Sequence, residues 1–304
     1  MDERQERELL SHCTLCPRRC GVDRTAGQTG CCGAFAEVQC ARAALHFWEE
    51  PCISGTRGAG TVFFSHCTLG CVYCQNAPIS RGGRGKTVTN KRLGEIFLEL
   101  QAQGAHNIDL VTPMHYAPQV VRALEDAREK GLAVPAAVNC GGYELPETVR
   151  LFSDTARIWM PDFKYASSAR ARDYSAAPDY PERALAAIDE MLRQTGPAVI
   201  GADGLLTCGV LIRHLLLPGG LADSMRAVRL LWERYGDDVI LSLMSQYTPM
   251  GENVRYPMLS RRVPRRHYEA LVEYAASLGV TRCYTQEESA ADEGFIPPFD
   301  GEGV

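Results

Sequence analysis

The feature that most constrains the fold is a regular alternation of short apolar runs and amphipathic helical segments from about residue 60 onward. Strand-like runs are expected at residues 61–64, 108–111, 134–138, 157–160, 210–217, 238–244 and 282–285. Helical patterns fill the intervals, at residues 90–103, 118–130, 146–152, 170–194, 222–235 and 264–278. This spacing predicts an α/β protein built of βα units on a parallel sheet, in a full or partial β/α barrel. A doubly wound sheet is the alternative, because periodicity alone does not separate the two.

The first 43 residues lack this rhythm and form a region that we expect its cysteines to hold together. We therefore predict three parts: a Cys-rich, metal-binding region at 1–43, a barrel at 44–287 and a polar C-terminal tail at 288–304.

Composition excludes several classes of partner. The net charge is −5, so no basic surface for nucleic acid is expected. The N-terminus is charged and has no apolar core of a secretory signal. The longest apolar stretch, at 198–222, is interrupted by charged residues and a proline, and is not expected to span a membrane. We expect a cytoplasmic protein.

The cysteine content points to metal rather than to disulfides. The chain has 13 cysteines, an odd number for a framework of paired disulfides. They are also clustered, with six between residues 13 and 40 and three between residues 67 and 74.

The second group, Cys67, Cys71 and Cys74, has the spacing C-x3-C-x2-C and follows the first predicted strand. Three thiolates on so short a loop can each bind one iron of a 4Fe–4S cube and leave the fourth iron open. The open position would accept the amino and carboxylate groups of S-adenosylmethionine (AdoMet), whose sulfonium is cleaved by one-electron reduction. A zinc site or buried free thiols are the alternatives. Structural zinc needs four ligands, and no partner pair follows this loop.

The cluster loop resembles that of the radical SAM superfamily, and in particular of the pyruvate formate-lyase activating enzymes and their activase-like relatives. The loop ends Cys-x-Asn at 74–76 and follows a Gly- and Phe-containing strand at 60–64, as in those enzymes. The resemblance covers residues 44–287 and implies a partial (β/α)6 barrel.

Further motifs imply the residues that hold AdoMet. A Met-x-Asp-x-Lys segment lies at 160–164, an Arg-x4-Pro-Gly segment at 213–219 and an Asn-containing turn at 139–142. The family's Gly-Gly-Glu-Pro motif is replaced by residues 111–116, and its late Tyr-His motif by 245–249. The AdoMet residues implied in this way are Tyr73, Thr112, Asn139, Asp162, Lys164, Arg213 and Gln246.

Three residues are candidates for catalysis. His115 and Tyr116 follow the second predicted strand, at the end where barrel chemistry occurs. Cys140 lies beside the position implied for the AdoMet ribose. A hydrogen-bonded turn histidine and a small buried cysteine are the alternative interpretations. Glu49 and Glu50 either bring a carboxylate to the cluster or belong to a solvated turn.

The N-terminal cysteines supply a separate set of ligands. Cys13, Cys16 and Cys20, with Cys31 or the adjacent Cys32 as fourth ligand, provide four thiolates. They could hold zinc, or a second 4Fe–4S cluster that relays electrons, or form a folded cap of free thiols.

The resemblance implies a radical SAM enzyme that makes a 5′-deoxyadenosyl radical and abstracts hydrogen from a substrate. The first hypothesis for that substrate is a glycyl residue of a protein or peptide, as for an activase, with a flavodoxin- or ferredoxin-type electron donor. The second is a small molecule or an unrelated peptide. The third is a non-enzymatic iron–sulfur or zinc scaffold or sensor.

Overall fold

The computed structural model describes residues 1–251, 253–286 and 297–304. The strands within them are β1 (Val38–His46), β2 (Ala59–Phe64), β3 (Lys86–Val88), β4 (Ile108–Val111), β5 (Ala136–Cys140), β6 (Ala156–Pro161), β7 (Val199–Ile200), β8 (Leu206–Leu215), β9 (Ile240–Met244) and β10 (Cys283–Thr285). The α-helices are α1 (Glu3–Ser11), α2 (Pro51–Ser54), α3 (Ala77–Ser80), α4 (Asn90–Ala102), α5 (Ala117–Glu129), α6 (Pro146–Val149), α7 (Ser168–Ser175), α8 (Tyr180–Thr195), α9 (Leu221–Tyr235) and α10 (Arg265–Ser277).

One mostly parallel sheet organises the chain. Its strand order is β10-β9-β8-β6-β5-β4-β2-β1-β3, and β7 pairs with β8. The seven strands from β2 to β10 on this path are parallel, whereas β1 is antiparallel to both β2 and β3. Each parallel strand is added on the same side of the previous one, as in a barrel, and the order never reverses as it does in a doubly wound sheet. The described strands do not close the sheet, which confirms the partial barrel.

The apolar pattern explains how the helices pack against the sheet. All six residues of β2 are buried, as expected of a strand covered on both faces. On α4, the buried face contains Leu93, Ile96, Phe97 and Leu100, the residues that the helical spacing predicts. The helical region predicted at 170–194 is two helices, because Ala176 adopts a left-handed conformation (φ 49°) at the end of α7.

The sequence pattern did not reveal β1. Val38 and Cys40 are buried on this strand, and Cys40 pairs with Phe64 of β2. The strand crosses residue 43, where we placed the boundary between the Cys-rich region and the barrel. The C-terminal residues 297–304 run beside it, since the Ala43 amide donates to the Glu302 carbonyl (2.8 Å). Residues 288–296 of the predicted tail lie outside the described residues.

None of the helices in the described part of the chain has both the length and the apolar character needed to cross a bilayer.

Candidate cluster and AdoMet site

The candidate site is formed where four neighbouring parallel strands end. Phe63 of β2 is in register with Val111 of β4, Val111 with Asn139 of β5, and Asn139 with Met160 of β6. The segments that follow these strands therefore meet at one edge of the barrel, where β/α barrels carry their chemistry. They contain the three-cysteine loop and four of the implied AdoMet residues, Tyr73, Thr112, Asp162 and Lys164, whereas Asn139 and Arg213 lie on β5 and β8 and Gln246 follows β9.

Each sulfur of the three-cysteine loop accepts a hydrogen bond. The Ser175 hydroxyl donates to Cys71 Sγ (3.0 Å), and the Ser80 hydroxyl donates to Cys74 Sγ (3.4 Å). The Leu69 amide donates to Cys67 Sγ (3.4 Å). Such donors stabilise thiolate character and tune the potential of an iron–sulfur cluster.

The three thiols lie close enough to influence one another. Burial, with a smaller contribution from the neighbouring Cys71, raises the pKa of Cys67 to about 12. Burial and Cys71 also raise the pKa of Cys74. The Cys67 and Cys74 thiols are therefore protonated without metal, and metal binding must displace their protons.

The residues present fit an iron–sulfur cluster. Soft thiolates suit iron–sulfur chemistry, and hydrogen-bond donors surround all three sulfurs. Across the described residues, no three His, Cys, Asp or Glu side chains are grouped so that they could share a single metal ion. A cube does not require such convergence, because each thiolate binds a different iron.

Tyr73 fixes the loop against α7. Its hydroxyl accepts a hydrogen bond from Tyr165 (2.8 Å), which in turn lies 2.7 Å from the Ser175 hydroxyl. Its ring packs edge-on against Tyr174 and Tyr247, with centroids 6.2 and 6.3 Å away. The structure therefore gives Tyr73 a packing role, and a contact with AdoMet stays a prediction.

Asp162 and Lys164 form an ion pair at the end of β6. Lys164 Nζ lies 2.5 Å from Asp162 Oδ2, and the two side chains are only 20% and 22% exposed. Burial alone would lower the pKa of Lys164, but the Asp162 carboxylate raises it well above its usual value. The Tyr180 hydroxyl, 2.8 Å from the Asp162 carbonyl, accepts a hydrogen bond from the Lys164 amide (2.9 Å). The pair is thus held rigidly as a charged unit.

Gly141 brings this pair to the cluster loop. A Cβ on Gly141 would lie 2.9 Å from Leu69 Cδ1 and 4.0 Å from Lys164 Cε. Leu69 belongs to the three-cysteine loop and is 5% exposed. The segment after β5 is therefore packed between the cysteines and the Asp162–Lys164 pair, which puts the predicted AdoMet residues beside the predicted cluster.

Thr112 and Asn139 are joined through the backbone. The Thr112 amide donates to the Asn139 carbonyl (2.7 Å), and Thr112 has a φ of 61°. A β-branched residue in the left-handed region is strained, and such strain is concentrated at functional sites. Gln246 follows β9, where its side-chain oxygen accepts a hydrogen bond from Gln286 (3.0 Å). AdoMet contacts of these three predicted residues stay predictions.

Arg213 is paired with two glutamates, and its expected contact with AdoMet stays a prediction. Its Nε donates to Glu50 Oε1 (3.0 Å) and Oε2 (3.2 Å), and its Nη2 contacts both Glu49 and Glu50. Burial would lower the pKa of Arg213, but the two carboxylates raise it well above its usual value. Because these carboxylates already pair the guanidinium, Arg213 positions the segment before β2.

The three predicted catalytic residues are buried, and their part in catalysis stays a prediction. His115 is 2% exposed, its Nε2 lies 2.8 Å from the Ser65 carbonyl, and burial lowers its pKa to about 3. Tyr116 is 1% exposed beneath the guanidinium of Arg24, 5.2 Å from the ring centroid. Cys140 is part of the main core, and burial raises its pKa well above the usual value.

Among the N-terminal cysteines, Cys31 and Cys32 differ in burial. Cys13 and Cys16 are buried, and Cys20 and Cys32 are half-buried. Cys32 is close enough to Cys13 and Cys20 for their thiols to raise its pKa, although burial is the larger cause. Cys31 is exposed. The spacing left both residues open, and the choice between Cys31 and Cys32 as the fourth ligand stays a prediction.

The motif analysis missed Ser80 and Ser175. Their hydroxyls reach the cluster sulfurs from α3 and α7, and no spacing in the sequence links a serine 101 positions after Cys74 to this loop. The strain at Thr112 was also hidden, because backbone conformation is not encoded in a motif.

Comparison with known proteins agrees with this site. Residues 54–156 match the family described as a 4Fe–4S single cluster domain. The chain is 23% identical to an uncharacterized protein of Methanocaldococcus jannaschii over 283 residues, which cover 91% of this chain and 78% of that protein.

The fold is also found in solved structures. A radical SAM methyltransferase from Sphaerobacter thermophilus shares it with a TM-score of 0.51 and 15% identity, covering 75% of this chain and 66% of the other. SuiB of Streptococcus suis, solved with its precursor peptide SuiA, has a TM-score of 0.49 and 13% identity, covering 73% of this chain. This chain spans 46% of the length of SuiB. The match to an iron–sulfur domain and the shared fold agree with the radical SAM resemblance of the cluster loop.

Proposed function

We propose that this protein is an activase-like radical SAM enzyme whose substrate is a glycyl residue of a protein or peptide. Cys67, Cys71 and Cys74 would hold the cluster, and the Asp162–Lys164 pair would hold the methionine end of AdoMet. One electron from a flavodoxin- or ferredoxin-type donor would break the C5′–S bond and give methionine and the 5′-deoxyadenosyl radical. That radical would take a hydrogen atom from the substrate, leaving 5′-deoxyadenosine and a substrate radical.

The observation that carries this proposal is the packing of Gly141 between the cluster loop and Lys164. A loop of three thiols and a half-buried carboxylate–ammonium pair lie side by side at the ends of β2, β5 and β6. AdoMet presents an α-ammonium, an α-carboxylate and a sulfonium. An ion pair beside an iron with an open position is complementary to these charges.

A second metal centre is also part of the proposal. We propose that the N-terminal cysteines bind a thiophilic metal, either as a second 4Fe–4S cluster or as zinc. The mutual proximity of four of these thiols supports this second metal centre.

All 13 cysteines are unpaired in the structure, which supports a reducing compartment such as the cytoplasm.

The activase hypothesis is tested by EPR under anaerobic conditions. Reduced, reconstituted protein is mixed with AdoMet and a candidate glycyl radical enzyme, and the doublet of a glycyl radical is recorded. We expect the doublet with the wild-type protein and with Cys208→Ala, but not with Cys71→Ala. Cys208 is a half-buried cysteine whose thiol donates a hydrogen bond to the Thr195 carbonyl. The absence of any doublet, while AdoMet is still cleaved, would contradict a glycyl substrate.

A small molecule or an unrelated peptide is the second candidate. The observation that favours it is a nearly buried charged cluster inside the barrel, formed by Glu49, Glu50 and Arg213, with side chains 8–11% exposed. A compact polar substrate would complement such a cluster. Deuterium transfer into 5′-deoxyadenosine from a labelled metabolite pool would support this candidate. Transfer from protein alone would count against it.

A further inference from the structure

We propose that Cys13, Cys16, Cys20 and Cys32 are the ligands of a second 4Fe–4S cluster, built directly against the loop of the first. The inference deepens the proposed second metal centre by assigning its ligands, its metal and its neighbour. It rests on that proposal only for the presence of a metal, and it does not depend on AdoMet cleavage.

The first three cysteines lie on one tight loop. The Cys13 amide donates to the Val22 carbonyl (3.0 Å), and the Gly21 amide donates back to the Cys13 carbonyl (2.9 Å). Within this loop, the Arg19 amide donates to the Cys16 carbonyl (2.9 Å). Cys20 Sγ consequently lies 3.8 Å from the Cys13 carbonyl oxygen, so the loop gathers its thiols together.

The fourth thiol reaches the loop through a glycine. A Cβ on Gly30 would lie 2.3 Å from Cys20 Sγ, so only glycine lets the segment before Cys32 approach this sulfur. The Ala34 amide donates to Cys32 Sγ (3.5 Å), as the Leu69 amide does to Cys67 in the first loop. An amide donor to sulfur is typical of the ligand shells of iron–sulfur clusters.

The region has a small apolar core of Leu10, Cys13 and Leu15 but little regular secondary structure. Its only regular element between α1 and β1 is a short 3₁₀ turn at Arg24–Ala26, as far as the described residues show. Cys13 and Cys16 are 6% and 8% exposed and occupy the interior of this small region. Four free thiols gathered without a disulfide supply the ligands that such a region needs to be stable.

A buried cation compensates the charge that four thiolates would carry. Arg24 is 2% exposed. Its guanidinium donates to the carbonyls of Phe35 (2.9 Å), which follows Cys32 closely in the chain, and of His115 (2.6 Å). Burying a charge is costly even when it is hydrogen-bonded to carbonyls, and an anionic cluster beside it would offset that cost.

The arrangement favours a cluster over zinc. A single zinc needs its sulfurs to meet about 2.3 Å from one point. No group of three or more potential ligands that could hold one ion occurs in the ranges that the structure describes, including this one. A cube binds each thiolate to a different iron and keeps the sulfurs further apart. The sulfurs of Cys67, Cys71 and Cys74 likewise do not converge on a single metal position.

The two cysteine sites are in direct contact and line one cavity. Arg18, which lies between Cys16 and Cys20 in the chain, donates to the Thr68 carbonyl (3.1 Å) and the Ser175 carbonyl (2.9 Å) beside the first cluster loop. Cys32 and Cys67 line the same cavity of about 540 Å³, which also contains the exposed Cys31. The second cluster is therefore an immediate neighbour of the first.

The test removes the first site and counts the iron that remains. The variant Cys67→Ala/Cys71→Ala/Cys74→Ala is reconstituted anaerobically, and its iron, acid-labile sulfide and zinc are measured, with Mössbauer spectra to identify the cluster. We expect about four irons and four sulfides per chain, against about eight of each in the wild type. In the triple variant, adding Cys13→Ser/Cys32→Ser should abolish this iron. The matched control Cys31→Ser/Cys208→Ser should retain it.

Each other outcome overturns part of the inference. One zinc per chain in place of iron would exclude the second cluster, and no metal in the triple variant would exclude the site. Equal iron loss from the Cys31→Ser/Cys208→Ser control would exclude the ligand set. The comparison of wild type with the triple variant leaves the N-terminal region intact, so it holds even if Cys13→Ser/Cys32→Ser does not fold. Failure of AdoMet cleavage would leave these iron counts unchanged.

Discussion

Arg213 of β8 is bound by Glu50, which precedes α2, across the interior of the open barrel. The guanidinium Nε lies 3.0 and 3.2 Å from the two carboxylate oxygens, and both side chains are less than 10% exposed. Cys52 and Ile53 of α2 pack into the barrel core, and Tyr284 of the edge strand β10 packs against the same cluster. The ion pair thus fixes α2 near the side where the sheet does not close.

We predict that Arg213→Met destabilises the protein strongly. The substitution would leave two buried carboxylates without their counter-charge, at a cost of about 3–5 kcal/mol in the free energy of unfolding. Denaturant titration measures it. The control is Arg234→Met, which removes an ion pair with Asp189 whose side chains are 46% and 41% exposed. We expect the control to cost less than about 1 kcal/mol, and equal losses in the two variants would contradict a structural role for the Arg213 pair.

Two constraints require glycine at position 142, a left-handed backbone conformation and close contact with the backbone of Asp162. It has a φ of 80°, and a Cβ there would lie 2.1 Å from the Asp162 carbonyl oxygen. Gly27 has the same φ of 80° and nothing within 4 Å of the added Cβ. Gly27→Ala should therefore cost about 1–2 kcal/mol, the price of a left-handed alanine.

Gly142→Ala should cost at least about 1–3 kcal/mol more than Gly27→Ala, because the backbone of Asp162 must also move. It should weaken AdoMet binding as well, whereas Gly27→Ala should not. Urea unfolding and equilibrium dialysis with AdoMet check the two effects. Indistinguishable variants would show that the contact between Gly142 and Asp162 is not tight.

The Asp162–Lys164 pair should govern AdoMet affinity. Lys164→Met removes a charged hydrogen-bond donor worth about 1.5–3 kcal/mol, so the Kd should rise about 10- to 100-fold. Equilibrium dialysis of the reconstituted protein measures it. Lys91→Met is the control, since Lys91 is 79% exposed and pairs loosely with Glu95 (3.9 Å). An unchanged Kd in Lys164→Met would place AdoMet elsewhere.

His115 makes the stability depend on pH. Its pKa falls from 6.5 to about 3 on folding because it is buried, so the unfolded chain binds the extra proton between these values. The native state therefore loses stability as the pH falls below about 6.5. Between about pH 7.5 and about pH 5.5, wild type should lose about 1.4 kcal/mol more than His115→Gln.

Unfolding free energies at the two pH values give this difference, with His267→Gln on the surface helix α10 as the control. The control should keep the wild-type pH dependence. A parallel pH dependence of wild type and His115→Gln would show that His115 titrates normally and is not buried as described.

Local patterns predicted the barrel well. The strand at 108–111 has the bounds of β4, and the helix predicted at 90–103 differs from α4 by one residue. Both signals are periodic within one segment, so they need no knowledge of the rest of the chain. The antiparallel strand β1 was missed because its burial depends on pairing with β2 and on the C-terminal residues beside it.

The candidate site also contains residues that local motifs predicted and residues whose contacts depend on distant parts of the chain. The cysteines were singled out by their spacing, and Asp162 and Lys164 by their resemblance to a family motif. The pairing of Arg213 with Glu49 and Glu50 was not predicted, since these partners lie 164 and 163 residues away in sequence. His115 and Tyr116 follow a strand as catalytic residues do. The N-terminal region covers them, and no pattern within their own segment reports that contact.

AdoMet cleavage tests the central claim most directly. The protein is reconstituted anaerobically with iron and sulfide, given AdoMet and dithionite, and assayed for 5′-deoxyadenosine, with Cys71→Ala and Cys208→Ala as matched variants. The account predicts product from wild type and from Cys208→Ala, and none from Cys71→Ala. A reconstituted wild-type protein that neither binds AdoMet nor forms 5′-deoxyadenosine would contradict it and favour a metal-binding scaffold.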